Sequence, residues 1–278
     1  MNVGIITFEQ YNGKKYNSIG SSRIRMNSML SYWPEAENFK HGKKYDVLIF
    51  QKAYWLEMAR EFTGIKILDI CDPDFLDWHY NIKEMADLCD AVVTSTEKLA
   101  DSIVRFVNVP VWVIPDRVDV DGTKNRKEHY GEAKKAVWFG YSQNFPLLDQ
   151  AAMAMGKYGL ELIVIADNVY IEPASVRGKF KLTNYSWSVD TVDEDIKKAD
   201  MVLNPRMTSG HWAYKSNNKS LHSWNLGLPV ANSDEEIKHF LSEENRRTEV
   251  SKKLVELKEK WDIKLSVKEY KDLINDLT

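Results

Sequence analysis

Ala136-Val137-Trp138-Phe139-Gly140-Tyr141-Ser142-Gln143-Asn144 is a β-rich run that stops at a glycine and opens into a polar loop. The apolar spacing that follows predicts a helix over 147–157, and a second apolar run, 160–166, is interrupted only by Glu161. Strands that are apolar on both faces and alternate with helices demand a parallel sheet covered on both sides, because each crossover lays a helix over one face. The alternation continues downstream. Strands are expected near 179–184, at 200–205 and at 228–232, with helices over 191–199, within 215–226 and from Asp234 onward.

Towards the N-terminus, the runs 3–8, 46–50, 66–70, 91–95 and 109–114 read as strands, and amphipathic stretches such as 97–106 lie between them. The same architecture therefore occurs twice. Between the two copies, residues 116–135 turn polar and charged. The expected fold is α/β, with two doubly wound parallel-sheet domains: 1–117, a linker over 118–135, a second domain over 136–245, and a tail over 246–278 that reads as two charged surface helices. Two such domains leave a cleft facing the carboxyl ends of both sheets, where ligands of these folds bind.

At 278 residues, 44% apolar and 28% charged, the chain can bury a sizeable core, which excludes disorder, collagen and small disulfide scaffolds. With 38 basic residues against 41 acidic ones, the net charge of -3 gives no global pull towards nucleic acid or anionic membrane. Such a partner would need a local patch. Cys71 and Cys89 are isolated thiols, and the first residues lack a secretory pattern, so a cytoplasmic location is expected. No apolar run approaches the roughly 20 residues of a membrane-spanning helix.

The polar stretch Tyr214-Lys215-Ser216-Asn217-Asn218-Lys219-Ser220-Leu221-His222 leads through a helix to Gly227-Leu228-Pro229-Val230. A helix N-terminus presents unpaired N–H groups and the positive end of a dipole, so Ser216, Asn217 and Lys219 there suit a diphosphate. Lysine adds a point charge. The same residues also read as a capped surface helix with Gly227 as its stop.

With these motifs the sequence resembles the GT-B glycosyltransferases of the family-4-like, nucleotide-sugar-dependent kind, which have two Rossmann-like domains. The resemblance covers nearly the whole chain. In many members a lysine, a carboxylate three residues on and a Gly-x-Pro-Val turn end the donor domain; Lys219 and Gly227-Leu228-Pro229-Val230 match that spacing. The family's carboxylate, which usually holds the donor ribose, falls on His222. Trp138-Phe139-Gly140 with Ser142 and Asn144 matches the strand and loop that open the donor domain, and 200–205 resembles the strand leading to the donor pocket, with Asn204 and Arg206 at its end. Asn204 can equally bond its own backbone. The resemblance thus implies donor contacts from Gly140, Ser142, Asn144, Asn204, Arg206, Lys215, Ser216, Asn217, Asn218 and His222, with Lys219 stabilising the departing diphosphate.

In the first domain, Asn17-Ser18-Ile19-Gly20-Ser21-Ser22-Arg23-Ile24-Arg25 resembles the glycine-bearing first loop of these enzymes. Gly20 permits close backbone approach, and Ser21 or Ser22 can cap the next helix. Arg23, nearest the loop, is the expected phosphate or acceptor contact; Arg25 points to another face. Lys14, Lys15, Arg23, Arg25, Lys40, Lys43 and Lys44 outnumber Glu35 and Glu37 over 10–45, which makes this region locally positive or simply a solvated face.

An acceptor hydroxyl needs a base at neutral pH. Cys71-Asp72-Pro73-Asp74 follows the strand 66–70, so Asp72 or Asp74 can take that proton; the same residues suit a turn and helix cap before 75–85. Glu9 is a second candidate, and His79 reads as structural. No metal-ligand spacing is present, and the resemblance implies metal-independent transfer with a nucleotide-diphosphate sugar as co-substrate and no cofactor. Trp33, Trp55, Trp78, Trp187, Trp212 and Trp224 offer sugar-stacking surfaces or ordinary core packing.

These readings imply a glycosyltransferase acting on a glycan or small-molecule acceptor. One alternative is a phage-type enzyme that glycosylates a hydroxymethylated base in DNA. Another, of a different class, is a non-catalytic nucleotide-sugar-binding protein.

Overall fold

Strand Val3–Ile6 (β1) enters helix Phe8–Tyr11 (α1) and helix Gly20–Arg25 (α2), and strands Ala36–Asn38 (β2) and Val47–Gln51 (β3) follow. Next come Leu56–Glu61 (α3), Ile65–Ile70 (β4), Ile82–Asp87 (α4), Ala91–Thr94 (β5), Glu97–Ile103 (α5) and Val111–Val113 (β6). The second run comprises Lys135–Phe139 (β7), Phe145–Tyr158 (α6), Glu161–Ala166 (β8), Leu182–Ser186 (β9), Val192–Ile196 (α7) and Met201–Leu203 (β10). It closes with Asn218–Asn225 (α8), Val230–Ala231 (β11), Asp234–His239 (α9), Glu243–Lys260 (α10) and Ile263–Asp276 (α11). This computed structural model describes residues 1–76 and 81–278, so Trp78 and His79 lie outside the described residues.

The chain divides into two compact units: Met1–Asp119 with Ser209–Asn217 and Trp261–Thr278, and Val120–Thr208 with Asn218–Lys260. In the first, six parallel strands take the order β2-β1-β3-β4-β5-β6. Period-two alternation sorts their side chains onto two faces: Val3, Ile5, Val47, Ile49 and Ile67 join one core, and Ile6, Leu48, Phe50, Leu68 and Ile70 the other. In the second unit five parallel strands run β11-β10-β7-β8-β9. Ala136, Trp138, Leu162 and Val164 face one core, while Val137, Ile163, Ile165 and Val202 face the other. Both sheets are doubly wound, as expected. Each has one point where the strand order reverses, between β1 and β3 and between β7 and β10, and crevices at such points bind ligands in open α/β sheets.

Three expectations are corrected. The tail is not two surface helices: α11 places Ile263, Val267, Tyr270, Leu273 and Ile274 in the first core, against Trp33. Burying each of those aliphatic side chains is worth roughly 1.5–3 kcal/mol. The linker expected over 118–135 is divided between the units, 118–119 in the first and 120–135 in the second. Val118 bridges to Asp262 in the first unit, and in the second Arg126 donates to the Asn225 and Val120 carbonyls. Finally, neither Ser21 nor Ser22 caps α2. That helix starts at Gly20 after Ile19, whose N–H donates to the buried Glu9 carboxylate.

Gly227 ends α8 with φ +84°, and a Cβ there would lie 3.0 Å from Lys127 N and O. Its carbonyl meets His129 Nε2 at 2.8 Å, while His129 Nδ1 accepts from the buried Arg246 Nε at 3.2 Å. Because a guanidinium only donates, the imidazole carries its proton on Nε2 and is neutral.

Candidate functional site

In the second unit the β7/β10 reversal gathers three segments. Gly140 follows β7 with φ +151°, and a Cβ there would come within 3.3 Å of Trp138 and 3.7 Å of Lys219 Nζ. Asn204, buried after β10, donates to Ser220 Oγ at 3.1 Å. Lys219, in the first turn of α8, sets its half-buried amine 4.4 Å from the Trp138 ring centroid and 5.4 Å from that of Phe139. Burial first, and the positive charge of Arg206 second, push this amine down to about 7.

In the first unit the cluster forms at the ends of β3 and β4. Lys52, buried with φ +50°, places Nζ 2.7 Å from Asp72 and 3.1 Å from Asp74. The other oxygen of Asp72 meets Lys215 Nζ at 3.0 Å, and Asp74 accepts from Tyr54 OH at 2.7 Å. Burial works against ionised Asp72, yet the two lysines outweigh it and hold the carboxyl down to about 2. Asp74 moves the other way, raised by burial. Beneath them Arg25 lies buried between Asp69, at 2.8 Å, and Asp116, at 3.2 Å.

No family model matches the chain, and no curated protein matches it. Solved structures do. Anabaena HepE, in complex with UDP and glucose, matches with TM-score 0.65 at 9% identity over 99% of this chain and 99% of its own. T4 phage BGT, in complex with its UDP-glucose substrate, matches with TM-score 0.59 at 10% identity over 100% of this chain and 99% of its own. The chain has the GT-B fold. TarM matches 82% of the chain at 13% identity with TM-score 0.62, and the chain spans 54% of TarM's length.

On this GT-B frame the expected site residues divide into groups. Gly140, Asn204, Arg206, Asn218 and Lys219 belong to the loops and helix start around the β7/β10 reversal. Asn144 precedes α6, with its N–H on Tyr141 O at 2.9 Å. Ser142 is engaged by a carboxylate: its N–H and hydroxyl both donate to Asp167, at 2.7 and 3.0 Å. His222, where the GT-B carboxylate was expected, pairs its Nε2 with Asp193 Oδ1 at 2.8 Å and packs edge-on against Phe139.

Lys215, Ser216 and Asn217, expected to seat the donor with α8, lie in the segment that packs with the first unit. Lys215 binds Asp72 there, and Ser216 donates to Asp116 at 2.6 Å. Carboxylates of that unit had been invisible as partners because they are far away in sequence. In the first loop, Gly20 and Ser21 sit inside α2, and Arg23 Nη1 donates to Asn17 O at 3.3 Å. Glu9 is no base candidate, since it is buried and accepts from Asn17 N, Ile19 N and Asn27 Nδ2.

Sequence reasoning missed Lys52, the cation that organises Asp72 and Asp74. A lone lysine straight after the apolar run of β3 was the available signal. Among the described residues no helix is long and apolar enough to cross a membrane, and no cluster of three or more His, Cys, Asp or Glu is suited to a metal ion.

Proposed function

We propose that the protein is a glycosyltransferase that takes a sugar from a nucleoside-diphosphate donor and passes it to an acceptor hydroxyl. The observation that carries this reading is the Lys219 amine, half-buried over two aromatic rings at the β7/β10 reversal with Arg206 as its charged neighbour. Like charges gathered at a strand-end crevice, with no carboxylate acting on Lys219 among the described residues, fit a ligand that carries more than one negative charge. Lys219, Arg206 and the N–H groups opening α8 would neutralise the leaving diphosphate, the main electrostatic demand of the reaction, without a metal ion. HepE and T4 BGT were crystallised with UDP or UDP-glucose, which makes UDP-glucose the first donor to assay and hexosyl transfer the first chemistry, ahead of pentosyl transfer.

The test is release of free UDP from UDP-glucose, and of nucleoside diphosphate from a panel of other sugar nucleotides, by the purified protein. Release that persists in EDTA and falls at least 100-fold in a folded Lys219→Ala variant is expected. Undiminished release by that variant would defeat the reading. A second reading, a nucleotide-sugar-binding protein without transfer, is favoured by one feature: Asp72, clamped by two lysines and held to about 2, is a weak proton acceptor. Donor binding with no diphosphate release, whatever the acceptor, would select it.

A further inference from the structure

We infer that the first unit carries an acceptor subsite for an acidic saccharide, built from the rings of Tyr11 and Trp55 with Lys14 and Lys15 beside them. This rests on the glycosyl-transfer reading and names its acceptor class.

The place is the β1/β3 reversal. Tyr11 ends the helix that follows β1, and Trp55 lies just beyond β3. Their ring centroids are 6.4 Å apart, and Trp55 is buttressed edge-on by Phe39 and His41. Tyr11 is 40% exposed, yet its hydroxyl donates to Tyr54 O at 3.3 Å, so the ring is anchored rather than free to swing. An anchored Tyr11 ring open to water, with the half-buried Trp55 ring beside it at the strand-order reversal, suits the C–H face of a pyranose, which stacks on aromatic surfaces.

The loop that carries the lysines is built to hold its shape. Glu9 is 1% exposed, and it uses its carboxylate to accept from Asn17 N at 3.0 Å, Ile19 N at 3.2 Å and Asn27 Nδ2 at 2.8 Å. Gly13 and Asn17 both take left-handed backbone conformations, φ +63° and +62°. A buried acid and a left-handed asparagine are costly features, tolerated where a loop must hold one conformation. The outcome is a fixed turn that presents Lys14 and Lys15 to solvent.

Charge decides the ligand class. Of the seven cations in the basic stretch, Arg25 is buried with Asp69, and Lys40 and Lys43 both pair with Glu37. Arg23 donates to the Asn17 carbonyl. Lys14, Lys15 and Lys44 carry no ion pair among the described residues, and of these three Lys14 and Lys15 lie on the turn that follows Tyr11. Two lysines beside a ring pair match the one or two carboxylates of a short acidic saccharide. Duplex DNA, with a charge every ~1.7 Å along its axis, requires a longer cationic track.

The experiment titrates the full chain calorimetrically, without nucleotide, with the hexasaccharides of galacturonate and hyaluronan. Comparators are the galacturonate methyl ester, which is the same sugar with its charge removed, and a duplex DNA. At least one acidic hexasaccharide is expected to bind ten times or more tightly than the ester. Tyr11→Ala should weaken it at least tenfold, and Lys14→Gln/Lys15→Gln should bring it down to the ester's affinity and remove its salt dependence. Failure of both acids to bind, equal binding of acid and ester, unchanged affinity in both variants, or tighter salt-sensitive binding of the duplex would each overturn the subsite. A separate UDP-glucose titration keeps the two readings apart. Loss of donor binding alone would defeat glycosyl transfer, whereas loss of saccharide selectivity alone would remove only this subsite.

Discussion

Lys52 Nζ lies 2.7 Å from Asp72 Oδ2, and the lysine reaches that position from a backbone at φ +50°. A left-handed conformation in a residue other than glycine costs about 1–3 kcal/mol, so the surrounding contacts must hold it in place.

Lys52→Met would leave two carboxylates in a largely buried cluster without their shared cation. We expect a loss of about 3–5 kcal/mol, measured as a lower urea midpoint, with partial recovery in Lys52→Met/Asp74→Asn. The pH sign follows from Asp72. Its folded value, about 2, is below the ordinary carboxylate value, so the stability it contributes is present above about pH 4 and is lost as pH falls towards 2. Unfolding curves at pH 7, 4 and 3 should show wild type and Lys52→Met converging.

Lys219 has the same sign in a higher pH window, because folding lowers its value too. Its amine is pushed down to about 7 in the folded chain, whereas an unfolded lysine titrates near 10.4. Between those values the unfolded chain holds the extra proton, so stability rises with pH across that window and falls back as pH drops towards 7. Lys219→Met should flatten this slope. A bound anion would draw a proton onto the amine, so affinity for UDP should fall by up to tenfold per unit above pH 7. Calorimetry in two buffers of different ionisation enthalpy should detect the proton uptake; an affinity that is flat from pH 6.5 to 9 would contradict it.

Gly227→Ala meets two obstacles, a φ of +84° and the Lys127 backbone 3.0 Å from the new Cβ. A loss of about 1–3 kcal/mol is expected. Burial lowers the neighbouring His129 from its ordinary value. The unfolded chain therefore protonates first, and the stability contribution present above about pH 6.5 is lost as pH falls below it. Melting temperature should drop between pH 7.5 and 5, and less steeply in His129→Gln.

Tyr270 OH donates to Asp69 Oδ2 at 2.5 Å, and Arg25 closes the same buried network. Tyr270→Phe removes one donor to a buried carboxylate and should cost about 1–3 kcal/mol. Arg25→Met leaves that carboxylate without its cation and should cost about 3–5 kcal/mol. Denaturant titrations of the two variants test this order.

The sheets were legible because β3 and β8 are apolar runs bounded by polar turns, a pattern that local sequence carries in full. β2 was not, since Ala36-Glu37-Asn38 offers no apolar alternation and its pairing depends on β1. In α11 the spacing of Ile263, Val267, Tyr270 and Leu273 marked one apolar face, but the lysines between them suggested solvent. The position of Lys219 at a helix start was readable from local capping chemistry. The partners of Lys215 and Ser216 were not, because Asp72 and Asp116 are separated from them by 143 and 100 residues, and pairing over that distance leaves no local pattern.

The return of α11 to the first sheet has a consequence for biosynthesis. While the ribosome makes the second unit, the opening strands have Met26, Met29 and Trp33 against one apolar face but still lack the α11 side chains that complete it. The first core is thus completed only after Lys260, the final residue of the second unit, has been made, although its strands are translated first.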